Sequence, residues 1–251
     1  MRLTEPSLPM DFSRRATEEE LMDNLTLASD DLRRNLDELE TVNTWLGGYA
    51  PVLQALDALR RRFPRQETCL QVADLGCGGG DTLRRMAAWA RKRGEQLAFI
   101  GIDANTFMLN YAAARSQQYP EIEYQQADVF APAFQAQQYD IITASLFCHH
   151  FPDEQLVTLL RQWQRQARVC VIINDLHRHW LAYYSIKWLT RLFRGSYLVQ
   201  NDAPLSVARA FTRQDWQQLL QRAGITKYQL RWRWAFRWQV VIENDFGGAT
   251  E

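Results

Sequence analysis

The sequence predicts an α/β protein built on one open, doubly wound sheet, and three observations lead to this fold class. From residue 69 onward, short apolar runs alternate with helical segments. A glycine-rich turn directly follows the first of these runs, and two segments of period two lie near the end. Strands that alternate with helices form βαβ units with right-handed crossovers, which give a mainly parallel sheet. The 251 residues are sufficient for one such domain with modest additions.

The first part of the chain, residues 1–66, is expected to form a helical cap segment that precedes the sheet. Its charged stretch 17–40 is typical of a helix, because Thr17 and Glu20 have the spacing of a capping box at its start. Polar residues and glycines then interrupt this pattern, and a second helix is predicted over 52–63.

The remainder, residues 67–251, is expected to form the sheet domain. Its first five strands are predicted at 70–75, 97–102, 121–125, 139–144 and 169–174. The helices between them are predicted at 82–93, 107–117 and 153–166. Parallel strands need such crossover connections, so the pattern is consistent with one continuous sheet.

A helical insertion at about 177–210 interrupts the alternation of strands and helices. It contains an aromatic helix over 180–193, followed by a loop that includes Pro204. After the insertion, Thr212 is expected to cap a helix that runs to Arg222. The inserted segment is predicted to form a lid over the sheet.

Two final strands are predicted at 227–234 and 236–243. Their period of two places aromatic side chains on one face and arginines on the other. The aromatic set is Trp232, Trp234, Phe236 and Trp238, and the arginines are Arg231, Arg233 and Arg237. We expect the arginine face to be solvated.

The composition argues against several classes of partner. Lys and Arg together number 29, as do Asp and Glu, so the chain lacks the basic excess that usually supports nucleic-acid binding. No run approaches the roughly 20 apolar residues of a membrane span. The four cysteines form no CxxC pair, which is typical of reduced thiols. We therefore expect a cytoplasmic protein that acts on a small molecule, with no nucleic-acid or membrane partner, and leave a homodimer open.

The glycine-rich turn after the first strand carries the most specific chemical signal. Gly76 and Gly78 allow a sharp turn and a close approach of the backbone to a ligand. A dinucleotide fingerprint would have its third glycine at position 81, where this chain has Asp81. A carboxylate there would repel a pyrophosphate, whereas Asp74 just before the turn suits a cationic ligand.

Segment 74–80 (DLGCGGG) resembles the D-x-G-x-G-x-G signature of class I S-adenosylmethionine (SAM)-dependent methyltransferases. Three further segments, 101–103, 126–129 and 139–145, resemble later landmarks of that family in the same order. The resemblance implies a Rossmann-like, mainly parallel, seven-stranded sheet with an antiparallel C-terminal strand. It also implies SAM as cofactor and S-adenosylhomocysteine as product.

The resemblance assigns cofactor contacts to the strand ends. Asp103 would bind both ribose hydroxyls, as a carboxylate can do bidentately, and Asp128 would bind the adenine amino group. The end of the fourth strand would lie beside the sulfonium. The implied cofactor-binding residues are Asp74, Gly76, Gly78, Asp103, Ala104, Asp128, Val129, Ala144 and Ser145.

Segment 146–151 (LFCHHF) is similar to a His-His segment of quinone-biosynthesis and polyketide-tailoring methyltransferases. This small-molecule branch implies transfer of the SAM methyl group to a small aromatic or polyketide-like acceptor, with oxygen favoured over carbon. His149 or His150 is the candidate general base, the alternative being a helix cap. Candidate substrate contacts are Trp45, Tyr49, His177, Tyr183 and Tyr184.

Three alternatives compete with this hypothesis. Cys148 and the four histidines are legitimate metal ligands, but their spacing matches no common site, so no metal is expected. An RNA methyltransferase is disfavoured by the charge balance and by the absence of an N/D-P-P-Y/F tetrapeptide after the fourth strand. A non-catalytic subunit with this fold is disfavoured by the intact Asp74 and Asp103.

Overall fold

The computed structural model describes residues 10–24, 30–62 and 69–244. One seven-stranded sheet of order β3-β2-β1-β4-β5-β7-β6 organises the chain. Its strands are β1 Leu70–Leu75, β2 Leu97–Asp103, β3 Ile122–Gln126, β4 Tyr139–Ser145, β5 Ala167–Leu176, β6 Tyr228–Arg233 and β7 Arg237–Glu243. Strands β1 to β5 pair in parallel, and β7 is antiparallel to both of its neighbours. The predicted fold class is confirmed.

Helices connect these strands and cover both faces of the sheet. They are α1 Asp30–Trp45, α2 Ala50–Arg62, α3 Asp81–Arg93, α4 Thr106–Arg115, α5 Pro132–Gln135, α6 Asp153–Gln166, α7 Trp180–Leu192, α8 Tyr197–Arg209 and α9 Arg213–Arg222. Within the ranges given above, no helix has both the length and the apolar character needed to cross a membrane.

Two hydrophobic cores, one on each face, account for the apolar strand sequences. Val171 and Ile173 of β5 belong to the core that also contains Trp163 of α6. Ile172, between them in sequence, belongs to the core that contains Leu83 of α3. Successive side chains of a strand point to opposite faces, so a strand buried on both faces is apolar throughout. This burial holds the strand ends, and the residues that follow them, in fixed positions.

The N-terminal helix differs from the prediction. Residues 17–24 contain only a 3₁₀ turn, Leu21–Asp23, whose capping box joins Glu20 and Asp23 rather than Thr17 and Glu20. The backbone N–H groups of Leu21 and Met22 donate to the carboxylate of Asp202, and this long-range anchor replaces an extended helix. The middle of the predicted 17–40 helix, residues 25–29, lies outside the described part of the chain, as does residue 63 at the end of the predicted 52–63 helix.

The predicted loop around Pro204 is wrong, because α8 occupies it. Ser196 caps this helix by accepting a hydrogen bond from Val199 N at 3.3 Å. Pro204 lies inside the helix and is buried. Its packing therefore compensates for the backbone hydrogen bond that proline removes. Helices α7 and α8 lie within the insertion predicted at 177–210.

The final strand pair corrects two expectations. Trp234 and Phe236 lie in the turn between β6 and β7 rather than on a strand face. Arg237, expected in solvent, is 3% exposed, whereas Trp232 on the expected buried side is 44% exposed. Trp232 and Trp238 are cross-strand partners, and so are Arg233 and Arg237. The predicted alternation of side chains between two faces is therefore correct. The prediction that the arginine face is solvated is wrong at Arg237.

Candidate active site

The glycine turn between β1 and α3 borders a cavity at the carboxyl ends of the parallel strands. Gly76 and Gly78 have φ angles of +63° and +49°, which strongly favour glycine. A Cβ atom on Gly76 would lie 2.1 Å from the ring of Phe147, whereas one on Gly78 would meet only Leu36, at 4.0 Å. The turn is thus tightly packed at Gly76 and open at Gly78, where a ligand can approach the backbone.

Two carboxylates stand at the ends of β1 and β2. Asp74 accepts a 2.6 Å hydrogen bond from Thr143 Oγ1, and burial raises the pKa of Asp74 to about 7. Asp103 accepts from the backbone N–H groups of Gly78 and Asn105, each at 2.9 Å. Burial raises the pKa of Asp103, and these N–H groups partly oppose that rise. A carboxylate oxygen has two lone pairs, so Asp103 can also accept a hydrogen bond from a ligand hydroxyl.

The cavity has a volume of about 430 Å³ and is enclosed by α1, α7, α8 and the strand ends. Of the predicted cofactor residues, it is lined by Asp74, Gly76, Gly78 and Ser145. A volume of this size is in the range of small-molecule sites. The cavity therefore begins at the glycine turn and extends toward β4 and β5.

The other predicted cofactor residues, Asp103 among them, lie outside this lining. Asp128 is exposed and accepts a hydrogen bond from Phe130 N at 2.9 Å. Val129 is buried, and its carbonyl accepts from Gln162. Ala144 belongs to the core, and the carbonyl of Ala104 accepts from a glutamine side chain. These positions follow or end the strands as predicted, and their role toward a cofactor stays a prediction.

His149 lies at the inner wall of the cavity and is oriented by a buried carboxylate. Its Nδ1 is 2.8 Å from Asp175 Oδ1, and its backbone N–H donates to Asp175 Oδ2 at 3.2 Å. His149 is 3% exposed and Asp175 is fully buried. Burial alone would raise the pKa of Asp175, but the charge attraction and hydrogen bond of His149 hold that pKa below its usual value. With Asp175 ionised, Nδ1 donates to this carboxylate, and Nε2 is the ring nitrogen that faces Glu20.

Glu20 stands opposite the Nε2 atom of His149. Its Oε1 is 3.5 Å from that nitrogen and has no hydrogen-bond partner among the described residues. Burial raises the pKa of Glu20 to about 7. Glu20 can therefore hold or release a proton beside the imidazole near neutral pH.

His150 forms a second imidazole–carboxylate pair. Its Nδ1 lies 2.5 Å from Asp23 Oδ1, and its ring centroid is 4.3 Å from that of His149. The hydrogen bond from His150, together with Arg209, holds the pKa of Asp23 well below its usual value against the effect of burial. Candidate ligand atoms of Glu20, His149 and His150 lie within 4.8 Å of one another, a grouping that could hold a metal ion.

Two arginines fix the backbone that carries the histidine pair. Arg209 donates to the carbonyls of His149 and His150, at 3.2 and 2.8 Å. Arg15 donates to the carbonyls of His149 and Phe151, at 3.1 and 3.0 Å. The N-terminal segment and α8 therefore hold the histidine turn from two sides.

Arg237 brings a buried positive charge to the far end of the cavity. Its Nη2 donates to Asn43 Oδ1 at 2.8 Å, but its Nε and Nη1 have no partner among the described residues. Burial lowers the pKa of Arg237 to about 10, so the guanidinium stays charged at neutral pH. Nearby, Asn174 Oδ1 also lacks a partner. These atoms can bind polar groups of a ligand.

The structure separates the predicted substrate contacts. Tyr49 lines the cavity, and its hydroxyl donates to Asp81 Oδ2 at 2.7 Å. Trp45 is 73% exposed and packs edge-on against Phe193. Tyr183 packs against Phe12 at 5.4 Å between ring centroids. Tyr49 is thus the member of this group that the structure brings to the cavity wall.

The remaining two candidates also lie away from the cavity lining. Tyr184 is 39% exposed. His177 accepts a hydrogen bond from Trp232 Nε1 at 3.2 Å, and burial lowers the pKa of His177 to about 4. It pairs with His179 at 5.4 Å between ring centroids. The four histidines therefore form two pairs, of which His149 and His150 line the cavity.

Comparisons with known proteins show what the chain is similar to. A model described as a methyltransferase domain matches residues 72–169. Over 86 residues the chain is 41% identical to a ubiquinone biosynthesis O-methyltransferase of Acinetobacter baylyi, covering 33% of this chain and 34% of that protein. Over 81 residues it is 40% identical to a 2-phytyl-1,4-naphtoquinone methyltransferase of Thermosynechococcus vestitus, covering 32% and 33%. Residues 72–169 are thus similar in sequence to a methyltransferase domain.

Solved methyltransferase structures agree with this fold. A plantazolicin methyltransferase in complex with SAH superposes with a TM-score of 0.62 at 17% identity, covering 86% of this chain and 91% of that one. Human N-acetylserotonin methyltransferase in complex with SAM gives a TM-score of 0.59 at 17% identity, covering 85% and 55%. The two curated relatives, by contrast, are matched over only about a third of their length.

Sequence reasoning missed several residues of this cavity. Asp175 is not among the predicted site residues, Glu20 was expected only in a helix cap, and Arg237 only on a solvated strand face. Asp175 could have been found, because it ends β5, directly beside the strand that precedes His149. Glu20 and Arg209 carried no such signal, since long-range packing brings them to the cavity.

Proposed function

We propose that this chain transfers the methyl group of SAM to a hydroxyl group of a small aromatic or polyketide-like acceptor. The observation that carries the proposal is the buried His149–Asp175 pair in the wall of a cavity that begins at the glycine turn. A charge-oriented imidazole is suited to remove a hydroxyl proton. The O-methyltransferase matched in the comparison supports oxygen as the methylated atom.

The residues present fit SAM at the glycine turn. Gly78 leaves open space where a side chain would point, and the Asp103 carboxylate is already oriented by two backbone N–H groups. Asp74 offers a buried carboxyl group to the positively charged end of the cofactor. When bound there, SAM supplies an electrophilic methyl group. These residues would hold the cofactor, with Asp128 toward the adenine.

The chain's own contribution to the reaction lies at His149 and its partners. Nε2 of His149 accepts the proton of the acceptor hydroxyl, and Asp175 stabilises the imidazolium that results. Glu20 Oε1, which lies 3.5 Å from Nε2, can then stabilise the positive charge of the imidazolium or accept its proton. Positioned general bases of this kind contribute about 10²–10⁴-fold to a rate. Enclosure in one cavity would also hold the acceptor oxygen and the methyl group in the geometry of attack, which further raises the rate.

The far end of the cavity supports an acceptor with a second polar oxygen. Arg237 and Asn174 line that end of the cavity, and Nε and Nη1 of Arg237 and Oδ1 of Asn174 have no hydrogen-bond partner among the described residues. Burying a charged donor without a partner is costly, so a ligand oxygen at this position would bind favourably. A dihydroxy aromatic ring or a carbonyl-bearing polyketide meets this requirement.

Incubation of the purified chain with methyl-labelled SAM and a panel of phenols, quinols and alkylresorcinols tests the proposal. We expect label in the ether of at least one acceptor and no dependence on added metal, because His149 must keep Nε2 free to act as a base. Loss of activity with EDTA, restored by a divalent ion, would assign Glu20, His149 and His150 to a metal instead. SAM binding by calorimetry without label transfer to any acceptor would contradict the proposed reaction.

A further inference from the structure

Helix α7 has an exposed apolar face that the cofactor site and the histidine pair do not explain. Of the eleven large apolar side chains that are exposed in the described ranges, six lie between residues 180 and 193. They are Trp180, Leu181, Tyr184, Trp188, Leu192 and Phe193. Four of them recur at intervals of four residues, which places them along one broad side of the helix. Trp188 is 68% exposed and Leu192 is 77% exposed.

All charged side chains of the same segment are basic. Between Asp175 and Asp202 the sequence contains Arg178, Lys187, Arg191 and Arg194 and no acidic residue, although the whole chain has equal numbers of acids and bases. Arg178 is buried against Asp215, which leaves three cations near the apolar face. Arg191 and Arg194 are exposed beside it.

The exposed apolar surface continues beyond α7. At its C-terminal end, Trp45 packs edge-on against Phe193 at 6.0 Å between ring centroids. At its N-terminal end, His179 stacks on Phe236, which contacts Trp232. Contiguous apolar surfaces of this extent are uncommon on soluble monomers and mark binding sites.

We propose that the outer face of α7 docks the protein on an anionic lipid bilayer. Tryptophan, leucine and phenylalanine on one side of a helix, flanked by Lys and Arg without acidic residues, have the chemistry of a helix that lies in the membrane interface. The apolar side chains enter the headgroup region, and the cations meet lipid phosphates. Composition led to the expectation that the chain has no membrane partner. Net charge and hydropathy are averages over the whole chain, however, and they do not reveal a surface that is locally basic and aromatic.

Helix α7 lies between the cavity and the surface that would contact the bilayer. Its inner side, with Ala182, Ile186 and Leu189, lines the cavity described above, while its outer side carries the aromatic face. A bilayer bound to α7 would therefore lie one helix diameter from the cavity, about 10 Å. An apolar acceptor dissolved in the bilayer would reach the cavity along α7.

Co-sedimentation with vesicles tests the proposal independently of methyl transfer. The full chain is mixed with vesicles of phosphatidylcholine alone or with phosphatidylglycerol added, at low salt and at about 1 M salt, where the Debye length is about 3 Å. We expect sedimentation with the anionic vesicles, weakened by high salt, and much less with the zwitterionic ones. The double variant Trp188→Glu/Leu192→Glu should bind at least about tenfold more weakly, since both positions lose their insertion and gain a negative charge.

Arg165→Glu on α6 is the matched control. Arg165 is exposed, and its substitution changes the net charge by the same two units, so it should bind vesicles like the native chain. Equal binding by the double variant, equal binding to both vesicle types, or absence of native binding would each overturn the proposal. Sedimentation velocity adds one more outcome. A native dimer that the double variant converts to monomer, without vesicle binding, would assign the face to a second copy of the chain.

Discussion

At the scale of single residues, Asp103 connects the glycine turn to the proposed cofactor site. Its carboxylate accepts N–H groups of Gly78 and Asn105 and can also accept hydrogen bonds from ligand hydroxyls. Asp103→Ala removes two charge-assisted hydrogen bonds to the ribose, each worth about 1.5–3 kcal/mol. We expect the Kd for SAM in calorimetry to rise by about 100-fold or more.

Asp103→Asn is the control for this substitution, because it keeps the size of the side chain and one oxygen acceptor. Its affinity should fall between those of the native chain and the alanine variant. Native SAM affinity in Asp103→Ala, with an unchanged melting temperature, would remove Asp103 from the site.

Glu20 gives a prediction about pH and stability. Its pKa of about 7 lies above the ordinary 4.5, so the folded chain holds an extra proton between these values. The stability that this protonation contributes is therefore present at low pH and is lost as pH rises toward about 7. Glu20→Gln stays neutral and should melt at a higher temperature than the native chain at pH 8, with the difference disappearing near pH 4.

Exposed Glu19, its neighbour in sequence, provides the comparison. Glu19→Gln should leave the dependence of melting temperature on pH unchanged. A native-like pH profile in Glu20→Gln would show that the buried carboxyl is ionised at little cost, for example through Arg209, which lies 3.7 Å away.

At the scale of elements, the turn between β1 and α3 must be open at Gly78 for a ligand to bind. Gly78→Val places a branched side chain at φ +49° and fills the space beside the backbone. Gly94, with φ +65° and open space around it, ends α3 away from the cavity. Gly94→Val should therefore reproduce the backbone strain alone.

We expect both glycine variants to lower the melting temperature by similar amounts, since strain of this kind costs about 1–2 kcal/mol. Only Gly78→Val should abolish SAM binding measured by calorimetry. If Gly94→Val lost the same affinity, destabilisation would explain the effect. If Gly78→Val bound SAM normally, the turn would not face the cofactor.

The secondary structure shows which elements local sequence determines. Strand β1 and helix α6 have their predicted bounds, because an apolar run limits the strand and Pro152 precedes the first turn of the helix. Helix α8 was missed, since Pro204 indicates a loop when only neighbouring residues are considered. The 3₁₀ turn at Leu21–Asp23 was missed as well, because a carboxylate far along the chain, Asp202, holds it.

At the scale of the whole molecule, the sheet brings together residues that the sequence keeps far apart. The position of His149 after β4 could be predicted, since parallel strand ends meet at one edge of the sheet. Its partner Glu20 lies 129 positions earlier by residue number and comes through the packing of the N-terminal segment. Arg237 was placed in solvent because the period of a strand identifies its faces but not what covers them. The cofactor end of the site was therefore more predictable than the acceptor end.

The central claim is that His149, oriented by Asp175, removes a proton from the acceptor hydroxyl. The most direct measurement compares turnover of native and His149→Ala chains on phenols of decreasing pKa, with SAM affinity measured in parallel. We expect unchanged SAM affinity, a loss of about 10²–10⁴-fold on a phenol that is neutral at the assay pH, and a progressively smaller loss on phenols that are already ionised. An equal loss on every acceptor, or a near-native rate on the neutral phenol, would contradict the account.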